Sequence, residues 1–285
     1  MKKILCLLVI VFMVTGCIFK RDTMENIDIY TTVYPINYLI NCLYGNNSQI
    51  YSIYPNGVNI KEYTFSDKKL EEYSNKDLFV FNSLDKDRDI AVKLINKNKD
   101  LKIIDVSVGM SLTNSVEELW LNPYNYLMMA QNLKTGLDQY ISDPYLIREI
   151  ETNYEDLKYN LSKLDATLKD SISNAGYDTI VVDNDALLFL EKYNLKVISL
   201  EDNDKLTEPK INEVKKLIED GKIKYIYTLS RETNNKVKRI IDDYKIELMY
   251  LNSMNNIDGD ITNTNDNYLT IMNNNIEKIN KELLK

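Results

Sequence analysis

One unbroken helical stripe in the middle of the chain constrains the fold more than any other feature. Ile147, Ile150, Tyr154, Leu157, Leu161, Leu164, Leu168 and Ile172 recur at intervals of three and four, and neither glycine nor proline intervenes between Pro144 and Gly176. That spacing places one apolar stripe along a single long helix, which Pro144 opens at a position where its missing N–H costs nothing. Such a stripe must be covered. It is either a strut between two lobes or one strand of a self-associating coiled coil, and its place between two similar segments favours the strut.

On both sides of this helix, strand-like and helix-like patterns alternate. Ile27–Val33, Gln49–Tyr54, Asp77–Phe81 and Lys102–Val106 read as strands, with helices at Ile36–Leu43, Asp67–Tyr73 and Ile90–Asn96. After Gly176 the strands are Thr179–Val182, Lys196–Leu200, Lys224–Thr228 and Glu247–Leu251. Ala186–Tyr193, Pro209–Asp220, Thr233–Tyr244 and Tyr268–Leu284 read as helices. Alternation of this kind predicts parallel sheets with crossover helices. The expected fold class is α/β: two lobes with parallel sheets and flanking helices, at 27–140 and 177–285. A linker helix over 143–175 joins them, and a ligand cleft lies between the lobes, where strands present their carboxyl ends.

The first residues address the chain. Lys2 and Lys3 precede an apolar run from Ile4 to Val14, closed by Val14-Thr15-Gly16-Cys17. A basic start and a greasy core too short to span a bilayer predict a lipoprotein signal peptide over 1–16. The mature chain then begins at Cys17, lipidated (a palmitate-type anchor), with a polar tether over 17–26. The expected location is the outer face of a cell membrane, of the Gram-positive type. Cys6 leaves with the signal and Cys17 carries lipid, so Cys42 has no partner for an intramolecular disulfide. Losing Lys2 and Lys3 leaves 33 basic against 43 acidic side chains. That balance argues against nucleic acid and leaves membrane attachment to the lipid.

No histidine occurs anywhere in the 285 residues. Ser-His-Asp and Cys-His catalysis, histidine zinc sites and imidazole pH switches are thereby excluded. With no glycine-rich phosphate loop and no paired nucleophile and base, the chain reads as a binding protein rather than an enzyme.

Several segments resemble the metal-binding lipoproteins of bacterial ABC importers, the zinc and manganese type, over nearly the whole mature chain. Thr32-Val33-Tyr34-Pro35 is similar to the family's opening strand and turn. Pro55-Asn56-Gly57 followed by Tyr63-Thr64-Phe65-Ser66-Asp67 resembles its Pro-x-Gly…Ser-Asp segment. Leu119-Trp120-Leu121-Asn122-Pro123 resembles the end of its Asp-Pro-His-x-Trp-Leu-Asp-Pro motif. Asp143-Pro144, Asn153, Leu161, Leu164 and Asp165 echo the linker helix, and Asp185-Ala186 before Phe189 resembles the segment of the third ligand. The resemblance implies a monomeric substrate-binding protein that delivers a divalent metal, manganese or zinc, to ABC permease and ATPase subunits.

The same resemblance assigns the cleft. The family's histidine ligands align with Lys61, Glu118 and Asn184, and its final carboxylate with Asn252, so the scaffold is kept and the ligand set is not. Lys61 cannot ligate while protonated and would repel a divalent ion. One arrangement is a Lys61–Glu118 ion pair in the old metal position; another points Lys61 to solvent. In the second case Glu118, Asp185, Asn184 and Asn252 offer only oxygens, and Asp183 or Asp185 could enter by a small register shift. An all-oxygen set suits manganese, calcium or magnesium better than zinc. Trp120 could line the cleft beside Tyr34 and Tyr63, although a lone tryptophan more often packs in a core. The functional expectation is an importer's binding component with an altered metal site. The alternative is a surface interaction protein or adhesin that has kept the fold and lost the cargo.

Overall fold

The computed structural model describes residues 24–230, 232–255 and 267–284; the signal peptide, Cys17 and most of the tether lie outside them. The first lobe runs β1 (Ile27–Thr31), α1 (Tyr34–Tyr44), β2 (Ser48–Ser52), α2 (Asp67–Ser74), β3 (Leu78–Phe81), α3 (Asp87–Lys97) and β4 (Lys102–Asp105). Helices α4 (Glu118–Leu121), α5 (Pro123–Tyr140) and α6 (Pro144–Ser173) follow. The second lobe holds β5 (Thr179–Val182), a 3-10 helix (Asp185–Tyr193), β6 (Lys196–Ser199), α7 (Glu208–Glu219), β7 (Tyr225–Thr228), α8 (Asn235–Tyr244), β8 (Glu247–Tyr250) and α9 (Tyr268–Leu283).

Both sheets are parallel throughout and share one order, β2-β1-β3-β4 and β6-β5-β7-β8. Chain direction across each sheet reverses between its second and third strands, and a crevice opens at the carboxyl ends there. The strands read as buried runs because both faces are covered. Ile29, Leu78, Val80 and Ile104 of the first sheet share one core with Ile180, Val182 and Tyr227 of the second. Their adjacent residues, Tyr30 and Phe79, or Val181 and Ile226, fill a separate outer core in each lobe. The period of two thus sorts side chains between a common inner core and two outer ones.

Helix α6 supplies the floor of the common core. Its N-terminus is closed by Asp143, whose Oδ1 accepts the amides of Tyr145 at 2.7 Å and Leu146 at 3.2 Å. Leu146, Ile150, Tyr154, Leu157, Leu161, Leu164, Leu168 and Ile172 are buried, all against the chain's own elements. The helix is therefore a strut, and the coiled-coil use does not arise. Leu146 and not Ile147 begins the stripe, because Leu146 lies four residues before Ile150 while Ile147 points outward.

Helix α5 is absent from the expected elements. It starts on an asparagine cap, Asn122, whose Oδ1 accepts the Tyr124 amide at 3.2 Å, with proline at its first position. Tyr126, Met129, Ala130, Leu133 and Leu137 make its buried face. Gly136 lets this helix ride directly over β4, since a Cβ there would sit 2.6 Å from Ile104 Cγ2 and 2.9 Å from Cγ1. Helix propensity alone would make Gly136→Ala stabilising by about 1 kcal/mol. The clash reverses the sign, and urea denaturation should show a loss of about 1–3 kcal/mol. Ile104→Ala added to that variant should recover part of the loss, whereas additive effects would show that the two residues do not press on one another.

Candidate functional site

Between the lobes lies a cleft of about 560 Å³. One wall is the segment after β2, Val58 to Glu62, together with Glu117 ahead of α4. The other is Asn184 after β5, and Leu229, Ser230 and Glu232 after β7, with Asn255 beyond β8. Strands β5 and β7 flank the direction reversal of the second sheet, so the cleft sits where a doubly wound fold gathers ligands.

Two of the positions named from the sequence, Lys61 and Asn184, lie on the walls of this cleft. Lys61 is exposed on its wall, and its amide is fixed by Asn59 Oδ1 at 3.1 Å. Asn184 spends its Oδ1 capping the 3-10 helix through the Ala186 amide at 2.7 Å, which leaves its NH₂. Glu118 is not on the wall; its Oε2 accepts the Asn114 side-chain amide at 3.0 Å. Its neighbour Glu117 is, at 6 % exposure, with Oε1 accepting from Asn255 Nδ2 across the lobes at 2.8 Å and Oε2 accepting from the Ser115 hydroxyl. No Lys61–Glu118 ion pair forms among the described residues.

Asn252 is likewise off the wall. Its amide donates to Asn275 Oδ1 at 2.9 Å, and its carbonyl accepts Asn275 Nδ2 at 2.9 Å. Asn255, three residues on, takes the place beside the cleft. Asp185 is buried, bonded to Asn203 Nδ2 at 3.0 Å, with Lys205 Nζ 3.8 Å away. Trp120 is a core residue at 1 % exposure, donating its indole N–H to the Ser253 carbonyl at 2.8 Å. Tyr63 packs edge-on to Phe65 and Tyr54, away from the cleft. Asn59, Glu62, Glu117, Ser230, Glu232 and Asn255 are the polar wall residues that the sequence reading passes over. The Glu117-Glu118 doublet was the one available signal, since consecutive helical residues point about 100° apart.

Among the described residues, no three carboxylate or cysteine side chains converge as metal ligands would. Lys61 places an ammonium in the wall, and at 4 Å an effective dielectric near 20 makes even a unit-charge pair worth about 4 kcal/mol.

The family model of zinc-uptake complex component A, periplasmic (ZnuA), matches residues 29–282. The zinc-bound ZnuA-like domain of AdcA from Streptococcus pneumoniae is similar at a TM-score of 0.74 and 19% identity, over 91% of this chain and 100% of that one. The metal-dependent lipoprotein YcdH from Bacillus subtilis gives 0.76 at 17% identity, over 91% and 100%. AdcAII from Streptococcus pneumoniae gives 0.73 at 18%, over 91% and 99%. At these identities the solved structures share the fold.

Next to the cleft, burial pushes the Asp183 carboxyl up to about 6 from 3.8, with Glu201 adding to the rise and the Thr228 hydroxyl opposing it. Its pKa is higher folded than unfolded, so between about pH 4 and 6 the folded chain holds more protons and its stability falls as pH rises. Asp183→Asn removes this charge. Relative to the parent, the variant should gain about 2 kcal/mol on going from pH 4 to pH 7 in parallel denaturant titrations. A constant difference across that range would show that Asp183 ionises normally.

Proposed function

The chain belongs to the family of the periplasmic zinc-uptake component A, the substrate-binding proteins of ABC importers, and from that membership we propose that it is a binding component with an altered metal site. The leader ending in Gly16-Cys17 supports a lipid anchor outside the membrane. Among the described residues no helix is long and apolar enough to cross a bilayer, so tethering would rest on that lipid. ABC permease and ATPase subunits are the expected partners, and binding rather than catalysis is the activity.

The observation that carries this reading is the cleft itself. It sits between two parallel sheets, on the carboxyl side of their strands, with Lys61 and Asn184 standing where the resemblance aligns histidines. The scaffold for a cargo is present, and the donors that would hold zinc are not. Imidazole is replaced by an ammonium and an amide, neither of which binds a transition metal well at neutral pH.

Two measurements test this. Native mass spectrometry of the mature chain with zinc, manganese or calcium at micromolar concentration should show the bare mass. A single retained ion would mean that oxygen ligands have replaced the histidines. The triple change Lys61→His, Glu117→His, Asn184→His should create zinc binding. The same triple with Glu118→His in place of Glu117→His should not, because Glu118 is off the wall. For the importer role, the chain should stimulate ATP hydrolysis by its permease–ATPase pair in proteoliposomes, and no stimulation would refute that role.

A further inference from the structure

The cleft walls carry more chemistry than a missing metal site requires, and the hydrogen-bond accounting says what kind. At about 30 Å³ per water molecule, 560 Å³ holds on the order of twenty waters. That is room for a small organic molecule, within the usual range for ligand sites.

The unspent groups on the walls fall into two sets. Donors are the Lys61 ammonium and the side-chain NH₂ groups of Asn59 and Asn184, whose oxygens are already used by the Lys61 and Ala186 amides. Ser230 belongs with them: its Oγ accepts the Glu232 amide at 3.1 Å, which leaves its O–H to donate. Acceptors are the carboxylates of Glu62 and Glu232, with that of Glu117, whose two oxygens each accept one hydrogen bond and keep a further lone pair. Glu117 is the most informative of these. Its carboxylate is held deep in the wall by two neutral donors, Ser115 and Asn255, and no cation reaches it among the described residues. A carboxylate so fixed and so little hydrated is a seat for a positive group.

We propose that the cargo of this cleft is an amino-acid-type zwitterion, a free amino acid or dipeptide. Its ammonium group sits on Glu117, and its carboxylate is met by Lys61 with the amides of Asn59 and Asn184. A bare metal ion would leave most of the cleft unfilled and would face Lys61 directly. A simple anion would face three carboxylates. A molecule with both charges answers both sets. The inference rests on the reading of the chain as a binding component, and it names the cargo class for that same site.

The test is isothermal titration calorimetry of the mature chain against the free L-amino acids and a set of dipeptides, with their N-acetyl and ester derivatives. At least one zwitterion should bind one to one, and both blocked derivatives of it should fail. Lys61→Met should weaken binding by about tenfold to a hundredfold and restore affinity for the ester relative to the acid. Glu117→Gln, which preserves the bond to Asn255, should weaken binding by a similar factor with an unchanged melting temperature in the absence of ligand. Absence of binding by every zwitterion overturns the proposal, as does equal binding of the blocked derivatives. Binding of diamines unaffected by Lys61→Met also overturns it. The importer reading stands or falls separately on ATPase stimulation: stimulation without zwitterion binding removes only the cargo assignment, and zwitterion binding without stimulation removes only the importer role.

Discussion

The two lobes are one body because of what happens at Trp120. Its indole N–H reaches across to the Ser253 carbonyl, and its own carbonyl accepts the Tyr268 hydroxyl at 2.6 Å. The Tyr268 ring lies on Tyr126 with centroids 4.0 Å apart and near Tyr38 at 5.6 Å. The bond between the Tyr268 hydroxyl and the Trp120 carbonyl is buried, so either group would cost about 1–3 kcal/mol if left unpaired. The C-terminal helix is thereby pinned to the first lobe as well as the second. The cleft inherits its geometry from this joint, since Glu117 and Asn255 sit three residues from Trp120 and two from Ser253.

That arrangement explains how a ligand set can change while the fold persists. Apart from the Glu117–Asn255 bond on the cleft wall itself, the contacts at the Trp120 joint that hold the lobes together are apolar or run to backbone carbonyls, and they belong to the core. Apart from Glu117, the residues that line the cleft are loop residues following strands, where side chains touch few neighbours. A substitution at such an exposed position alters what the cleft attracts and leaves the core untouched. Asp185, by contrast, is turned inward and bonded to Asn203, so it belongs to the wall's support.

The strands and the linker helix were legible in the sequence because their signals are local. Short apolar runs bounded by polar turns match the eight strands among the described residues to within about two residues, and the stripe from Ile150 to Ile172 marks the strut. Helix α5 was obscured by Gly136 and by tyrosines and asparagines that blur an apolar period, although Asn122-Pro123 is a sound start signal. The site was less legible. At the start of α4 a shift of one residue separates Glu117 on the wall from Glu118 beside Asn114. In the segment after β8, three residues separate Asn255 from Asn252. Which of two adjacent residues faces a cleft is decided by how the lobes pack, and no local pattern records that.

The joint has a further consequence for the order of assembly. Trp120 and Ser253 are 133 residues apart in the chain, and Tyr268 is 148 from Trp120. Each sheet, by comparison, is built from successive strand–helix–strand units of a few dozen residues. Contacts between distant parts of a chain close the largest loops and form late. The lobes are then expected to condense separately and to meet last, with Trp120 still loose in the transition state. Weakening the joint would hasten unfolding far more than it slowed refolding, a division that the two arms of a chevron plot would register.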